Sequence, residues 1–251
     1  MTGICRIGDL LFVAHQTAAA RVAVLDAETL SVRADVCLPG ARDVHSLAAW
    51  EGGVAVASTG TDEILWYRYD GADFVDRTVL WTASPERKDT LHVNGLTAHR
   101  DALLCCAFGP RRTEEDLWSE SRGGFVYDVA KGRFVLRGLA HPHSPAVRGD
   151  DELVLCESAR RSFRSADQPI VELDGYTRGV ACLDDGRTVI GTSVTRVKSR
   201  SSDQLLNPAD EGVTAGRCAL HVVDPDGTVH QTLSLEGYGN EIYDVFPLGG
   251  P

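Results

Sequence analysis

Four of the chain's eight histidines fall in three short segments: Asp43-Val44-His45-Ser46-Leu47, His92-Val93-Asn94-Gly95-Leu96 and His141-Pro142-His143-Ser144-Pro145. Tyr176-Thr177-Arg178-Gly179-Val180 and Glu241-Ile242-Tyr243-Asp244-Val245 repeat the pattern with other polar residues. In each, a polar or ionisable residue is followed two places later by another, a spacing that puts both on one face of an extended strand. Imidazoles accompanied by a carboxylate are suitable ligands for zinc, iron, manganese, nickel or copper. The expected metal ligands are His45, His92, His143 and Glu241, with His141 and Asp43 as alternates, and the expected cofactor is one divalent transition metal ion. An ion with an open position polarises a substrate oxygen or brings a bound water close to neutral pKa. Around it, Arg178 would hold a carboxylate, phosphate or developing oxyanion, while Tyr176, Tyr243, Glu157 or Glu241 would move protons. Asn94, Asp43 and Arg178 would contact the substrate. Two structural alternatives stand beside these roles: histidines that hydrogen-bond backbone, and Arg178 in a buried pair with Glu241 or Asp244.

For these residues to meet, the chain must return to one place repeatedly. Taking His45, Asn94, His143, Arg178 and Tyr243 as equivalent, the steps are 49, 49, 35 and 65 residues. A period of about 40 to 50 residues with several strands per unit is the mark of a β-propeller. Each segment runs into an apolar stretch after a Gly/Asp turn, as in Val54-Ala55-Val56-Ala57, Leu103-Leu104-Cys105-Cys106, Leu153-Val154-Leu155-Cys156 and Val189-Ile190-Gly191. Such runs are hairpin strands, and no sustained helical period interrupts them. The sequence therefore predicts an all-β fold, residues 1–251 forming one propeller domain of five blades, with six as the alternative. The segment from Glu241 to Leu248 is expected to close the ring as the innermost strand of the N-terminal blade, since an unjoined ring leaves edges unpaired. Val197 to Cys218 is expected to form an extended loop, which accounts for the long last step.

Composition narrows the partners. With 36 acidic and 25 basic residues the net charge is −11, which disfavours nucleic acid as a ligand. Two basic clusters, Arg160-Arg161-Ser162-Phe163-Arg164 and Arg196-Val197-Lys198-Ser199-Arg200, are read as solvated loops or as help in recognising an anionic group. The N-terminus lacks a cationic-then-apolar leader and no apolar run reaches membrane-spanning length. The seven cysteines sit mostly among Leu, Val and Ala, where cysteine is a small buried hydrophobe. A cytoplasmic protein that engages neither nucleic acid nor membrane is expected, with a small polar molecule as its substrate, anionic where the basic residues recognise it, and an oligomeric state that composition does not fix. Cys156, just before Glu157, is the first thiol to consider as a nucleophile.

The motifs H-x-N-G-L at His92–Leu96, H-P-H-S-P at His141–Pro145, C-E-S at Cys156–Ser158 and G-Y-T-R-G at Gly175–Gly179 occur in the order seen in an uncharacterised family of bacterial β-propeller proteins, a domain of unknown function, which this chain resembles over roughly residues 90 to 245. The resemblance implies the propeller fold and no particular activity. More distantly, one histidine per blade looks like the arrangement in propeller enzymes with an axial metal, such as carotenoid oxygenases; lactonase-type propellers use carboxylates and an Asn instead. The reading that follows is a metal-dependent isomerase, lyase or hydrolase acting on a small polar metabolite at the channel mouth. A non-catalytic propeller binding a ligand or protein there, and an iron- or copper-dependent oxidoreductase, are the alternatives.

Overall fold

The computed structural model describes residues 1–17, 19–83, 85–110, 121, 123–194 and 216–249. Twenty strands form five four-stranded sheets in chain order. The first contains β1 (Gly3–Ile7), β2 (Leu10–His15), β3 (Arg21–Asp26) and β4 (Val32–Cys37), and the second β5 (Val44–Trp50), β6 (Gly53–Ser58), β7 (Glu63–Tyr69) and β8 (Phe74–Thr82). The third contains β9 (Val93–His99), β10 (Ala102–Ala107), β11 (Gly124–Asp128) and β12 (Arg133–Leu139), and the fourth β13 (Pro142–Arg148), β14 (Glu152–Glu157), β15 (Ser162–Ser165) and β16 (Pro169–Glu172). The fifth is β17 (Tyr176–Cys182), β18 (Thr188–Ser193), β19 (Ala219–Val223) and β20 (Val229–Ser234). Strands neighbouring in sequence pair antiparallel, so each sheet is a meander and the fold is a five-bladed β-propeller.

The residue pattern explains the layering. Second strands are almost wholly buried: all six residues of β6 and five of six in β10 and β14 lie inside. A strand covered on both faces reads as a continuous apolar run, and Gly53-Val54-Ala55-Val56-Ala57 and Leu103-Leu104-Cys105-Cys106 are such runs. Fourth strands face water, with every residue of β20 exposed.

The residues group into two compact units. One comprises Met1–Ala107, Val126–Val135 and Phe246–Pro251, the other Phe108–Phe125 and Leu136–Val245. The first unit's core joins Phe12, Val22, Val24, Val54, Val56, Leu65, Tyr67 and Phe74, with Phe12 meeting Tyr69 edge-on at 5.4 Å. The second unit has its own core of Val154, Cys156, Phe163, Ile190 and Val223.

One hydroxyl bond recurs. Thr2 Oγ1 donates to Val44 O and Thr59 Oγ1 to Val93 O in the first unit, and Ser158 Oγ donates to Thr177 O and Ser193 Oγ to Ile242 O in the second. In the first three cases the acceptor lies at the start of the next blade's first strand. Backbone amides join in, Leu96 N donating to Ser46 Oγ and Gly179 N to Ser144 Oγ.

Two sequence-based expectations are corrected. The first sheet is complete from β1 to β4, with no C-terminal strand added, and residues 241–247 adopt no regular strand. Ile242 N and O are instead bonded to Ser193 Oγ, and Asp244 and Val245 rest on Gly179. There φ is +70° and a Cβ would come within 2.9 Å of the Asp244 backbone, so the position requires glycine. Phe246 packs beside Leu11 and Val13. The second correction concerns equivalence. Val44, Val93, Pro142 and Tyr176 stand opposite Ser58, Ala107, Glu157 and Ser193, so the counterpart of His45, Asn94 and His143 is Thr177; Arg178 lies one residue later, and Tyr243 is outside any strand. Most of the Val197–Cys218 stretch, including the Arg196–Arg200 cluster, lies outside the described residues. No helix among the described residues is long and apolar enough to cross a membrane, and none of the seven cysteines is in a disulfide.

Two measurements check this account. Replacing Thr59 by Val removes only the hydroxyl and leaves the buried Val93 carbonyl without its donor, so denaturant unfolding is expected to show a loss of about 1–3 kcal/mol, with Thr59→Ser near wild type. His221 is buried, with Nε2 against Thr192 Oγ1 at 3.0 Å and Nδ1 against Thr232 Oγ1 at 3.0 Å. Burial pushes its pKa below the usual value, outweighing the opposing charge of Asp174. A group whose folded pKa is depressed in this cationic sense is neutral in the fold, so its contribution is complete above the unfolded pKa of about 6.5 and declines as pH falls below it. Unfolding followed from pH 7.5 to 5 is expected to show a shallower decline for His221→Gln than for wild type.

Candidate functional site

Entry into the first strand of a blade is strained in the same manner three times. Asp43, His92 and His141 have φ of 48°, 53° and 52°, left-handed values rare for residues with a side chain. The strand that follows carries a register shift, between Val44 and Ser46 in β5, between the partners of Cys106 and Ala107 in β9, and after His143 in β13. These bulges break simple alternation, so the polar pairs do not share a face by period alone. They meet through the turned backbone instead.

In the first unit, Asp43, His45 and His92 come together. His45 Nε2 lies 3.4 Å from Asp43 Oδ1, and the His45 and His92 rings meet edge-to-face with centroids 5.0 Å apart. Gln16 Nε2 donates to Asp43 Oδ1 at 3.0 Å and lies 3.2 Å from His45 Nε2. His92 Nδ1 lies 3.1 Å from Asp89 Oδ2. Burial pushes the Asp43 carboxyl up, but the hydrogen bond and charge of His45, the Gln16 amide and the charge of His92 together outweigh it, and the group is held well below the usual carboxylate range. Asn94 is buried and turned to the protein: its Nδ2 donates to His92 O and its Oδ1 accepts from Cys106 Sγ.

In the second unit, His141, His143, Tyr176, Arg178 and Tyr243 form a continuous aromatic cluster. The His141 ring stacks on Phe108 at 4.4 Å with the planes 12° apart, and its Nδ1 lies 3.1 Å from Tyr176 Oη. His143 meets Phe108 edge-on at 5.1 Å and Tyr176 at 5.5 Å. The Arg178 guanidinium carbon is 4.8 Å from the Tyr176 ring centre and 4.7 Å from that of Tyr243, both within cation–π range. Arg178 Nε is buried with no hydrogen-bond partner among the described residues.

Glu157 is fully buried beside this cluster, and its oxygens are taken up within the protein. Oε1 accepts from Ala140 N at 2.8 Å and lies 3.3 Å from Arg160 Nε, while Oε2 accepts from Arg164 Nη1 at 2.9 Å. It is an anchor for the turn before β13. Two of the three arginines of the 160–164 cluster are thereby accounted for. Cys156 is buried, and desolvation pushes its thiol up to about 12, the wrong direction for a nucleophile. Glu241 is half-buried on the C-terminal segment.

A metal ion would need at least three convergent ligands. Among the described residues no group of three or more His, Cys, Asp or Glu is arranged to hold one. His45 and Asp43 are engaged with Gln16, His92 with Asp89, and His143 through Nδ1 with Ser158 Oγ and His141 O.

Sequence reasoning missed Gln16, Phe108, Ser158 and Asp89. The first three share a signal: Gln16, Phe108 and Ser158 each immediately follow the second strand of a blade, β2, β10 and β14, as Thr59 follows β6. That exit lies against the entry of a first strand, so its residue type sets what the entry meets.

The fold is shared with proteins of diverse names. A luciferin-regenerating enzyme superposes with a TM-score of 0.68 at 11% identity, covering 93% of this chain and 75% of that one. A chain of a nidogen/laminin complex gives 0.65 at 9% identity, covering 97% and 82%, and streptogramin B lyase 0.53 at 14%, covering 93% and 82%. At such identities the likeness is one of fold. No curated protein matches the sequence. The family pattern described as domain of unknown function DUF4915 matches residues 12–250, nearly the whole chain, and the protein belongs to that family.

Proposed function

We propose that the protein acts on a small anionic metabolite bound at the Tyr176–Arg178–Tyr243 cluster. The observation that carries this reading is Arg178. A guanidinium has five N–H donors and keeps its charge at any physiological pH. Half-buried donors of that strength are ordinarily paired, because an unpaired one forfeits its hydration without replacement. Arg178 is set against two tyrosine rings that offer faces to it, and among the described residues its Nε has no partner. A carboxylate or phosphate oxygen supplies the missing acceptor, in the strong, charge-assisted form that arginine favours.

The neighbouring contact between Tyr176 Oη and His141 Nδ1 favours chemistry over simple retention of a ligand. A phenol and an imidazole in hydrogen-bond reach can pass a proton between them, and His141 is 6% exposed, away from competing water. Tyr176 therefore touches the anion-binding arginine on its ring and a proton carrier through its hydroxyl. Isomerisation, elimination or hydrolysis of an acid all need such a proton transfer. The metal-dependent form of this reading would draw on His45, His92, His143 and Glu241, with His141 as the alternate.

Titration calorimetry with acetate, succinate and inorganic phosphate tests the proposal. Saturable binding of at least one is expected, weakened about 10- to 100-fold in Arg178→Ala, the worth of a charge-assisted hydrogen bond. Absence of binding by all three, or equal affinity in the variant, overturns it. Metal analysis of protein purified without a histidine tag separates the alternative: stoichiometric metal that disappears in a His45→Ala/His92→Ala variant would replace this mechanism by a metal-dependent one.

A further inference from the structure

The outward edge of the third blade differs from its four counterparts. The fourth strand of each blade pairs on one side only, so among the described residues its outer row of backbone N–H and C=O groups faces no further strand. Of these five strands, β4 carries Arg33 with Asp35, β8 carries Arg77 with Asp76, β16 carries Glu172, and β20 has no Asp, Glu, Lys or Arg. Only β12 has basic residues, Arg133 and Arg137, and no acidic one, and the chain has no Asp or Glu from Val129 to Gly149. The arginines of β4 and β8 are answered within the protein, Arg33 by Asp26 and Arg77 by Glu63. Arg133 is exposed and enters no ion pair among the described residues. In a chain of net charge −11, a basic edge is a local reversal of sign.

Apolar surface accompanies this charge. Phe134 and Val135, adjacent on β12, are 42% and 40% exposed. Behind Phe134 the Tyr127 ring stands edge-on at 5.0 Å, and Tyr127 in turn meets Trp81 of β8 at 5.2 Å. Rings in such contact hold Phe134 in place, so its exposed part is a fixed apolar wall beside the edge. Strand alternation puts Arg133 and Val135 on one face and Phe134 on the other. We propose that β12 docks an extended acidic segment of a partner protein, which adds to the sheet beyond Arg133–Val135 with its carboxylates along Arg133 and its apolar side chains along Phe134. Backbone pairing supplies the affinity of such an added strand, and alternate side chains supply its specificity. A second copy of this chain fits less well: antiparallel pairing of two β12 strands centred on Val135 sets Arg133 opposite Arg137, like charge against like.

Fluorescence anisotropy of the full chain with a labelled seven-residue peptide alternating glutamate and valine tests this. Saturable binding is expected at low ionic strength, weakening as salt is raised. In Arg133→Glu the affinity is expected to fall about fivefold, since an opposite-charge pair becomes a like-charge one. Arg133 is exposed, so the variant is expected to keep the wild-type unfolding midpoint. The same peptide methylated on its valine nitrogens keeps the charge and loses the ladder bonds, and is expected not to bind. Hydrogen exchange read by mass spectrometry is expected to slow over residues 133–139 when the parent peptide is present. Absence of binding, protection confined to other strands, or equal affinity in Arg133→Glu overturns the proposal. So does equal binding of the methylated peptide or of one alternating lysine and valine. Sedimentation that shows a dimer dissociated by the peptide assigns the edge to a second copy and overturns it as well.

Discussion

The fold depends on a hydroxyl aimed at a carbonyl. At the start of three blades a backbone carbonyl of the first strand accepts from a Thr or Ser of the preceding blade: Thr2 for Val44, Thr59 for Val93, Ser158 for Thr177. Meander sheets satisfy their own ladders, so these bonds, with those of Leu96 N to Ser46 Oγ and Gly179 N to Ser144 Oγ, add register to apolar contact, which fixes distance better than register. The hydroxyl fixes both. At positions 44 and 93 the residue before the bonded carbonyl has left-handed φ, as Asp43 and His92 do. Asp and His are tolerated there better than branched or bulky residues. The concentration of polar chemistry at the entries is thus in the first instance a consequence of backbone geometry.

That consequence explains what the sequence disclosed and what it did not. The repeat of polar segments followed by apolar runs was legible because second strands such as β6 and β10 are buried on both faces, and an unbroken apolar run cannot be hidden. Five blades followed from the 40-to-50-residue period of the polar segments. The closure did not, because Glu241-Ile242-Tyr243-Asp244-Val245 has the alternation of a strand, yet its Ile242 is bonded to Ser193 Oγ instead of a ladder. Alternation records which side chains are covered and says nothing about where the backbone amides go. The one-residue offset of Arg178 had a similar origin: the register shift between Arg178 and Val180 places an extra residue in β17, and a bulge carries no composition mark beyond the Gly179 that accommodates it.

The polar residues of the entries divide by how they are satisfied. Asn94 is bonded to His92 O and Cys106 Sγ, and Glu157 to Ala140 N and Arg164; each completes a backbone or neutralises a charge. His45 is held with Asp43 and Gln16, an arrangement in which the carboxylate stays ionised because the imidazoles and the amide more than offset its burial. These contacts have the character of structure. Glu157 shows the distinction most plainly: sequence placed it next to a cysteine and a serine, as a nucleophile's partner might be placed, and the fold surrounds it with arginines.

Arg178 stands apart on the same test. Its neighbours are π faces, which attract the cation without using its N–H groups. A fold that needed the charge only for stability would place a carboxylate there, as it does for Arg164 and Arg148, whose Glu157 and Glu152 partners lie at 2.9 and 2.8 Å. Tyrosine on two sides keeps the guanidinium oriented and only partly hydrated while leaving its donors for another molecule, the condition under which an anion gains most from binding it. The contrast between satisfied and unsatisfied polar groups, more than the abundance of histidine, is what favours this corner of the second unit as the proposed ligand site.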